Sequence, residues 1–271
     1  MIRVTPDWLA LREAADAAAR AEALVEPLRR HLAGRPGPLV IRDLGCGTGS
    51  MGRWLAGRLP GPQRWVMQDR DPDLVALVGG PTTAADGGPV EVVPLAGDVT
   101  TLRATDLADT ALVTASALVD LFTSAEVAGI ADACTGAGCA ALLTISVIGR
   151  VELTPADPLD AEVTAAFNAH QRRVVEGGRR LLGPDAVASA TAAFQRRGAA
   201  VFSRPSPWRL GADDRALTAE WLRGWVGAAA QQRPEPDLAG YLDRRLATCA
   251  AGELRAVVHH TDLLALPGGV A

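Results

Sequence analysis

A glycine-rich segment directly follows an apolar run in the first fifth of the chain. Residues 39–42 read Leu-Val-Ile-Arg, the acid Asp43 follows, and glycines stand two apart at Gly45, Gly47 and Gly49. Glycine tolerates positive φ and has no side chain, so the backbone of such a strand-to-helix turn can approach a ligand closely. Its amide groups, at the start of a helix, can hydrogen-bond a carboxylate. These residues predict a binding loop for a small charged ligand.

Two further acids follow the next two predicted strands. Asp69 ends the run 64–69, and Asp98 follows the third apolar run with Val99 directly after it. Because the carboxyl ends of parallel strands meet at one edge of a sheet, these acids should lie close together. Asp69 could accept hydrogen bonds from two ribose hydroxyls, and Asp98 from an adenine amino group. With Asp43 on the loop, they predict a nucleoside ligand that carries positive charge.

The same glycines fit a second class of ligand. Gly47, Gly49 and Gly52 match the spacing of the dinucleotide fingerprint, in which loop amides hold a pyrophosphate. A nicotinamide-dependent oxidoreductase is therefore an alternative. Asp43 favours the first class, because its charge would repel a pyrophosphate and attract an ammonium group.

The elements that must position these residues can be read from the apolar pattern. Strands are predicted at 39–44, 64–69, 90–95, 111–115, 139–148, 199–203 and 254–266. Helical segments between the first five indicate a parallel sheet covered on both faces. The second half is less regular: 151–158 is predicted as a loop and 159–182 as largely helical.

The composition limits the classes of partner. All 27 basic residues are Arg, the net charge is −4, and 48% of the 271 residues are apolar. Nucleic-acid-binding proteins usually display a basic face, so we expect no nucleic-acid partner. The four cysteines form no CxxC pair, and no metal site is predicted. With no signal peptide and no apolar run of about 18 residues, we expect a cytoplasmic protein without a membrane span.

The three motifs together resemble those of a known family. Residues 43–49, 68–72 and 96–99 are similar to the successive cofactor motifs of class I S-adenosylmethionine (SAM)-dependent methyltransferases, in that family's order and spacing. The resemblance is specific over about residues 37–150. It implies an α/β Rossmann-like fold whose seven-stranded sheet has the order 3-2-1-4-5-7-6, with strand 7 antiparallel, helices on both faces and a helical cap.

The resemblance also implies which residues bind SAM. The glycine loop would hold the methionyl part, Asp69 the ribose, and Asp98 with Val99 the adenine. Ser116 would lie along the methionyl group, and Arg20 would face its carboxylate. The full implied set is Arg20, Asp43, Gly45, Cys46, Gly47, Gly49, Asp69, Arg70, Asp98, Val99 and Ser116.

The acceptor chemistry is less constrained by the sequence. Methyl transfer from a sulfonium needs alignment and exclusion of water, and a general base only where the acceptor loses a proton. Residues 114–122 lack the Asn/Asp-Pro-Pro-aromatic signature of DNA- or glutamine-directed enzymes, and the paired metal ligands of catechol-type enzymes are not evident. Both absences favour a metal-independent enzyme with a small-molecule acceptor such as a secondary metabolite. Asp120 and His170 are the catalytic candidates. Alternatively, Asp120 caps the next turn and His170 is an exposed helix histidine.

The domain prediction follows from the absence of a long linker. We expect one methyltransferase domain at 1–271, as a monomer or homodimer, with an N-terminal helical cap at 1–36, a SAM-binding half at 37–150 and a substrate-side half with helical insertions at 151–271. Two alternatives stay open at this point: an NAD(P)-dependent oxidoreductase and a non-catalytic SAM-binding regulatory module.

Overall fold

The computed structural model describes residues 4–81, 83–234 and 238–268, so the outermost ends of the predicted domain lie outside the described residues. The helices are α1 (Pro6–Ala19), α2 (Val25–Leu32), α3 (Ser50–Leu55), α4 (Pro72–Val75), α5 (Ser124–Ala137), α6 (Asp160–Gln171), α7 (Ala186–Gln195), α8 (Arg215–Gln232) and α9 (Ala239–Ala250). The strands are β1 (Leu39–Leu44), β2 (Gln63–Asp69), β3 (Val90–Ala96), β4 (Thr110–Ser116), β5 (Ala140–Thr154), β6 (Val174–Val175), β7 (Arg179–Arg180), β8 (Ala200–Pro205), β9 (Trp208–Leu210) and β10 (Arg255–Leu266).

The main sheet has the strand order β3-β2-β1-β4-β5-β10-β8, and β9 pairs with β10 as well. The first five strands pair in parallel, whereas β10 is antiparallel to β5, β8 and β9. With β8 as the sixth strand and β10 as the seventh, the predicted order 3-2-1-4-5-7-6 and the reversed last strand are confirmed.

Helices cover both faces of this sheet because its central strands are apolar on both sides. Leu112 and Leu142 face a core that contains residues of α2 and α3. Their neighbours Val113 and Leu143 face the opposite core, with residues of α5 and α7. A third core joins α6, α8 and α9 to β9 and to the ends of β5 and β10.

The predicted loop at 151–158 is wrong over its first four residues. β5 continues to Thr154, and Val151 and Leu153 pair with β10. Positive φ at Ile145 (53°) and Gly149 (75°) changes the direction of the strand without ending its pairing. The antiparallel partner, which lies far away in the sequence, supplies the hydrogen bonds that maintain the strand.

The predicted helix at 159–182 is also wrong in its second half. α6 ends at Gln171, and β6 and β7 form an antiparallel hairpin. Adjacent valines at 174–175 favour extended backbone, and Gly177 and Gly178 occupy positive φ (75° and 72°) in the turn. This hairpin matters for function because it contributes to the wall of the main cavity.

Helix α1 is fixed to the sheet by a buried polar cluster. The Trp208 indole Nε1 donates to Asp16 Oδ1 over 2.9 Å, and the Arg12 guanidinium pairs with the same carboxylate through Nε (2.8 Å) and Nη2 (3.1 Å). The guanidinium also lies 5.7 Å from the Trp8 ring centroid and 4.9 Å from that of Trp208. These contacts hold α1 against β9, where its residues can line the main cavity.

Buried His260 beside this cluster should make stability depend on pH. It is 4% exposed on β10, 5.3 Å from Trp208 between ring centroids, and burial lowers its pKa from 6.5 to about 4. Between those pH values the unfolded chain binds a proton that the folded chain does not, so this stability is present above pH 6.5 and is lost as pH falls toward 4.

We therefore expect His260→Phe to gain stability relative to the wild type by roughly 2 kcal/mol when the pH falls from 7 to 5. Urea titrations of both proteins at the two pH values measure this difference. If the unfolding free energies of the variant and the wild type differ by the same amount at both pH values, His260 is not a buried, neutral imidazole.

Candidate functional site

A cavity of about 960 Å³ lies at the carboxyl ends of β1, β2 and β4, with α1 and the β6–β7 hairpin also in its wall. Its volume is at the upper end of the range for ligand sites, about 300–1,000 Å³. The predicted cofactor residues in its wall are Asp43, Gly45, Cys46, Gly47, Asp69, Arg70, Asp98, Val99 and Ser116. Gly49 and Arg20 are not part of the wall, but Arg20 Nη2 contacts the lining residues Ser50 and Ser116.

The three glycines of the loop all have positive φ, at 62° for Gly45, 53° for Gly47 and 89° for Gly49. A Cβ atom at Gly47 would lie 2.9 Å from the Leu9 side chain, and one at Gly49 would lie 2.8 Å from the Gly79 carbonyl oxygen. The spacing seen in the sequence therefore serves a left-handed turn and close packing against the Leu9 side chain and the Gly79 backbone.

Three amide groups of this loop are already hydrogen-bonded within the protein. Gly47 N donates to Asp69 Oδ2 over 3.0 Å, Gly49 N to the Cys46 carbonyl over 2.8 Å, and Cys46 N to the Gln68 carbonyl over 3.0 Å. The expectation that loop amides hold a ligand carboxylate is thus wrong for these three groups. The Asp69 carboxylate occupies the place where a bound anion would accept from Gly47.

Arg20 supplies cationic hydrogen-bond donors near the glycine loop. It is 4% exposed, and its Nη2 lies 3.3 Å from Ser50 Oγ and 3.1 Å from Ser116 Oγ, both of which line the cavity. Its Nε and Nη1 are buried and have no hydrogen-bond partner among the described residues. A buried cation with unsatisfied donors is costly, and a ligand carboxylate would satisfy them.

Asp43 is the second incompletely satisfied group. Its side chain is buried, Thr114 Oγ1 donates to Oδ1 over 2.7 Å, and Oδ2 has no partner among the described residues. Burial raises the pKa of Asp43 to about 7, although Arg20 opposes the rise. Near neutral pH the carboxyl therefore exists partly in the protonated form without a ligand, and a cationic ligand would draw it into the charged form.

The other two acids are held by backbone amides. Asp69 Oδ1 accepts from Asp71 N over 3.0 Å, and Asp98 Oδ1 accepts from the N and Oγ1 of Thr100, each over 2.8 Å. The bonds from Thr100 lower the pKa of Asp98, so it remains an ionised acceptor. Val99 beside it is buried and offers an apolar contact.

The two catalytic candidates are placed differently. His170, in the last turn of α6, is 8% exposed and lines the cavity, and burial together with Arg173 lowers its pKa. It is therefore neutral at pH 7 and could accept a proton. Asp120 lies in the turn after β4, where burial raises its pKa, but the cavity wall includes its neighbour Leu121 and not Asp120 itself. Both roles stay predictions, and the geometry favours His170.

Several lining residues were not identified from the sequence as site residues. Trp8 and Arg12 of α1 and Arg173 and Glu176 near the hairpin all belong to the cavity wall. Trp8 was visible only as part of an apolar stripe, which also fits a core position. Arg173 forms an adjacent pair with Arg172 in a segment predicted as helix, and such a pair is typical of a solvated helix face.

The described part of the chain contains neither a cluster of metal ligands nor a membrane-spanning helix. Within it, no group of three His, Cys, Asp or Glu side chains could hold a metal ion. None of the helices in residues 4–81, 83–234 and 238–268 combines the length and the apolar character needed to cross a membrane. All four cysteines are buried free thiols, and burial raises the pKa of Cys46, so its place in the cavity wall does not make it a reactive group.

No family model matches the chain, and no curated protein matches it. Among solved structures, cyclopropane synthase MmaA2 from Mycobacterium tuberculosis shares 14% identity over 97% of this chain and 94% of that one, with a TM-score of 0.47. A SAM-dependent methyltransferase from Geobacter sulfurreducens in complex with S-adenosyl-L-homocysteine shares 14% identity over 98% and 100%, with a TM-score of 0.41. Because these sequence identities and TM-scores are low, the function of this chain has to be inferred from its own residues.

Proposed function

We propose that this chain is a SAM-dependent methyltransferase that acts on a small molecule. The observation that carries this proposal is the distribution of satisfied and unsatisfied groups around the glycine loop. The loop amides of Cys46, Gly47 and Gly49 are engaged within the protein, whereas buried donors of Arg20 and a buried oxygen of Asp43 are not. A ligand with a carboxylate and an ammonium group, such as the methionyl part of SAM, complements this pattern.

The same distribution disfavours a dinucleotide. A pyrophosphate is normally bound by the free amides of a glycine loop, and here the Asp69 carboxylate already accepts from Gly47 N. Placing a dianion beside Asp69 and Asp43 would add repulsion. The antiparallel β10 between β5 and β8 also departs from the parallel order 3-2-1-4-5-6 typical of dinucleotide-binding sheets.

The residues in the cavity fit the remaining parts of SAM. Arg20 would bind the carboxylate and Asp43 would face the ammonium group. Asp69 has lone pairs left for ribose hydroxyls, and Asp98 with Val99 would border the adenine. When bound, SAM supplies a methyl group that its sulfonium has already activated.

The rest of the cavity wall serves an acceptor. Trp8, Leu121 and Phe122 make this part apolar, so a bound molecule is aligned and water is excluded. His170 is the neutral base available to an acceptor that must lose a proton. A module that only binds SAM has no need of this additional space, which supports an enzyme.

Stabilisation by ligands tests the proposed function without a known acceptor. At a free concentration of about 100 times its Kd, a ligand that binds only the folded state adds about 2.7 kcal/mol to the free energy of unfolding. We expect S-adenosylhomocysteine to stabilise the protein in this way in a denaturant titration, and NADH to have no effect. Stabilisation by NADH alone would replace the proposal with an oxidoreductase.

Metal independence is a further expected result. Because the described residues contain no cluster of metal ligands, methyl transfer should be unchanged after exhaustive treatment with EDTA. Assays before and after chelation, with and without added Mg²⁺ or Zn²⁺, measure this. Activity that is lost on chelation and restored by either ion would show that the alignment of the acceptor needs a metal.

A further inference from the structure

The part of the cavity away from the glycine loop has mainly apolar walls. Trp8 of α1, Leu121 and Phe122 after β4, and Leu181 after β7 all contribute to it. Leu121 is also 40% exposed, so the apolar wall reaches the surface of the protein. Such a wall favours an acceptor whose body is largely aromatic or aliphatic.

Four arginines line the cavity: Arg70 belongs to the proposed cofactor part, and Arg12 and Arg179 are neutralised by the protein itself. Arg12 binds both oxygens of Asp16, over 2.8 and 3.1 Å. Arg179 of β7 binds both oxygens of Glu126 at the start of α5, over 2.8 and 2.9 Å. Bidentate pairs of this kind use both the charge and the directed donors of the guanidinium. Neither arginine needs an anionic ligand.

Arg173 is different. Its Nη1 donates to the His170 carbonyl oxygen over 3.0 Å, and among the described residues no carboxylate lies within ion-pair distance of its guanidinium. It is half-buried in the cavity wall. Glu176 is the other charged group here without an ion pair in the described part, but it is exposed on the hairpin, where water screens its charge more strongly.

We propose that the acceptor is a largely apolar molecule with an acidic oxygen, a phenol or a carboxylic acid, and that Arg173 binds this oxygen as the anion that receives the methyl group. The inference rests on the proposed function and adds the chemical class of the acceptor. A phenol would transfer its proton to His170. The oxygen–methyl bond forms as the methyl–sulfur bond breaks, the sulfur keeps the electron pair, and the products are a neutral methyl ether or ester and a neutral thioether.

Three probes that share one apolar body and differ in charge test whether the acceptor is acidic. 4-Butylbenzoate, 4-butylbenzyl alcohol and 4-butylbenzylamine are titrated calorimetrically at pH 7 into protein saturated with S-adenosylhomocysteine. We expect the benzoate to bind at least about tenfold more tightly than the alcohol, because a charge-assisted hydrogen bond in a partly buried site is stronger than a neutral one. The amine should bind most weakly, because its charge has the same sign as that of Arg173.

A matched pair of variants assigns the preference to one side chain. Arg173→Gln should weaken benzoate binding at least about tenfold and change alcohol binding little. Arg180→Gln, which removes an exposed arginine of the same hairpin outside the cavity wall, should keep the wild-type preference. If Arg173→Gln does not fold, the order of the three probes on the wild type still decides the chemical class of the acceptor.

The outcomes separate this inference from the proposed function. Failure of S-adenosylhomocysteine to bind would overturn the proposed function and this inference with it. Normal binding of S-adenosylhomocysteine would overturn the acidic acceptor alone if the three probes bind equally, if the amine binds best, or if the benzoate does not bind at millimolar concentration.

Discussion

His170→Gln is expected to lower the rate of methyl transfer by about 10²–10⁴-fold while SAM affinity changes by less than about twofold. The imidazole lies in the cavity wall, and burial together with the Arg173 guanidinium lowers its pKa, so it is neutral and able to accept a proton at pH 7. It is away from the glycine loop, so its removal should spare the cofactor. Steady-state kinetics on an acceptor that loses a proton, such as a phenol, measures the effect.

Two further variants serve as a control and as a test of the second candidate base. His259→Gln is the matched control, because His259 of β10 pairs with Glu152 of β5 and does not line the cavity. Asp120→Asn examines the second candidate, and the position of Asp120 outside the cavity wall predicts a small effect. If the His170 and Asp120 variants both keep wild-type turnover across pH, catalysis rests on alignment alone and neither residue is a base.

Asp69→Ala should cost at least a factor of about ten in SAM affinity, and about a hundredfold if the glycine loop also moves. The carboxylate holds Gly47 N and Asp71 N, each over 3.0 Å, and in the proposed complex it accepts from the ribose as well. Hydrogen bonds to a charged group contribute roughly 1.5–3 kcal/mol each, and about 1.4 kcal/mol is a decade in affinity. Isothermal calorimetry on the folded variant gives the value.

Asp86→Ala provides the matched control for this effect. Asp86 also binds two backbone amides with one carboxylate, those of Gly61 (3.1 Å) and Gly88 (3.0 Å), but in a turn outside the cavity. Its removal should leave SAM affinity unchanged. Wild-type affinity in a folded Asp69→Ala variant would remove Asp69 from the site.

The sequence predicted the parts of the fold and site that depend on local pattern. Apolar runs and glycine spacing located the first four strands and the loop, and strand-end acids pointed to one edge of the sheet. The residues Asp43, Asp69 and Asp98 do line one cavity there. The order of the sheet came from the family resemblance, since nothing in the apolar pattern places β10 between β5 and β8.

What the sequence could not predict depends on contacts between distant segments. The engagement of Gly47 N by Asp69 is visible only once β1 and β2 are adjacent. Burial, which raises the pKa of Asp43 to about 7, requires the packed sheet. The extension of β5 to Thr154 is maintained by β10, about a hundred residues later. In each case contacts between distant segments determine a feature that local sequence propensity does not.

Calorimetric titration of SAM at pH 7, in buffers with different ionisation enthalpies, tests the central claim most directly. Because the pKa of Asp43 is about 7 in the free protein and a cationic ligand favours its charged form, binding should release a fraction of a proton. SAM affinity should accordingly rise with pH through neutrality, and Asp43→Asn should abolish this release. We predict saturable binding of one SAM and no binding of NADH; binding of NADH without SAM, or of neither, would contradict a SAM-dependent methyltransferase.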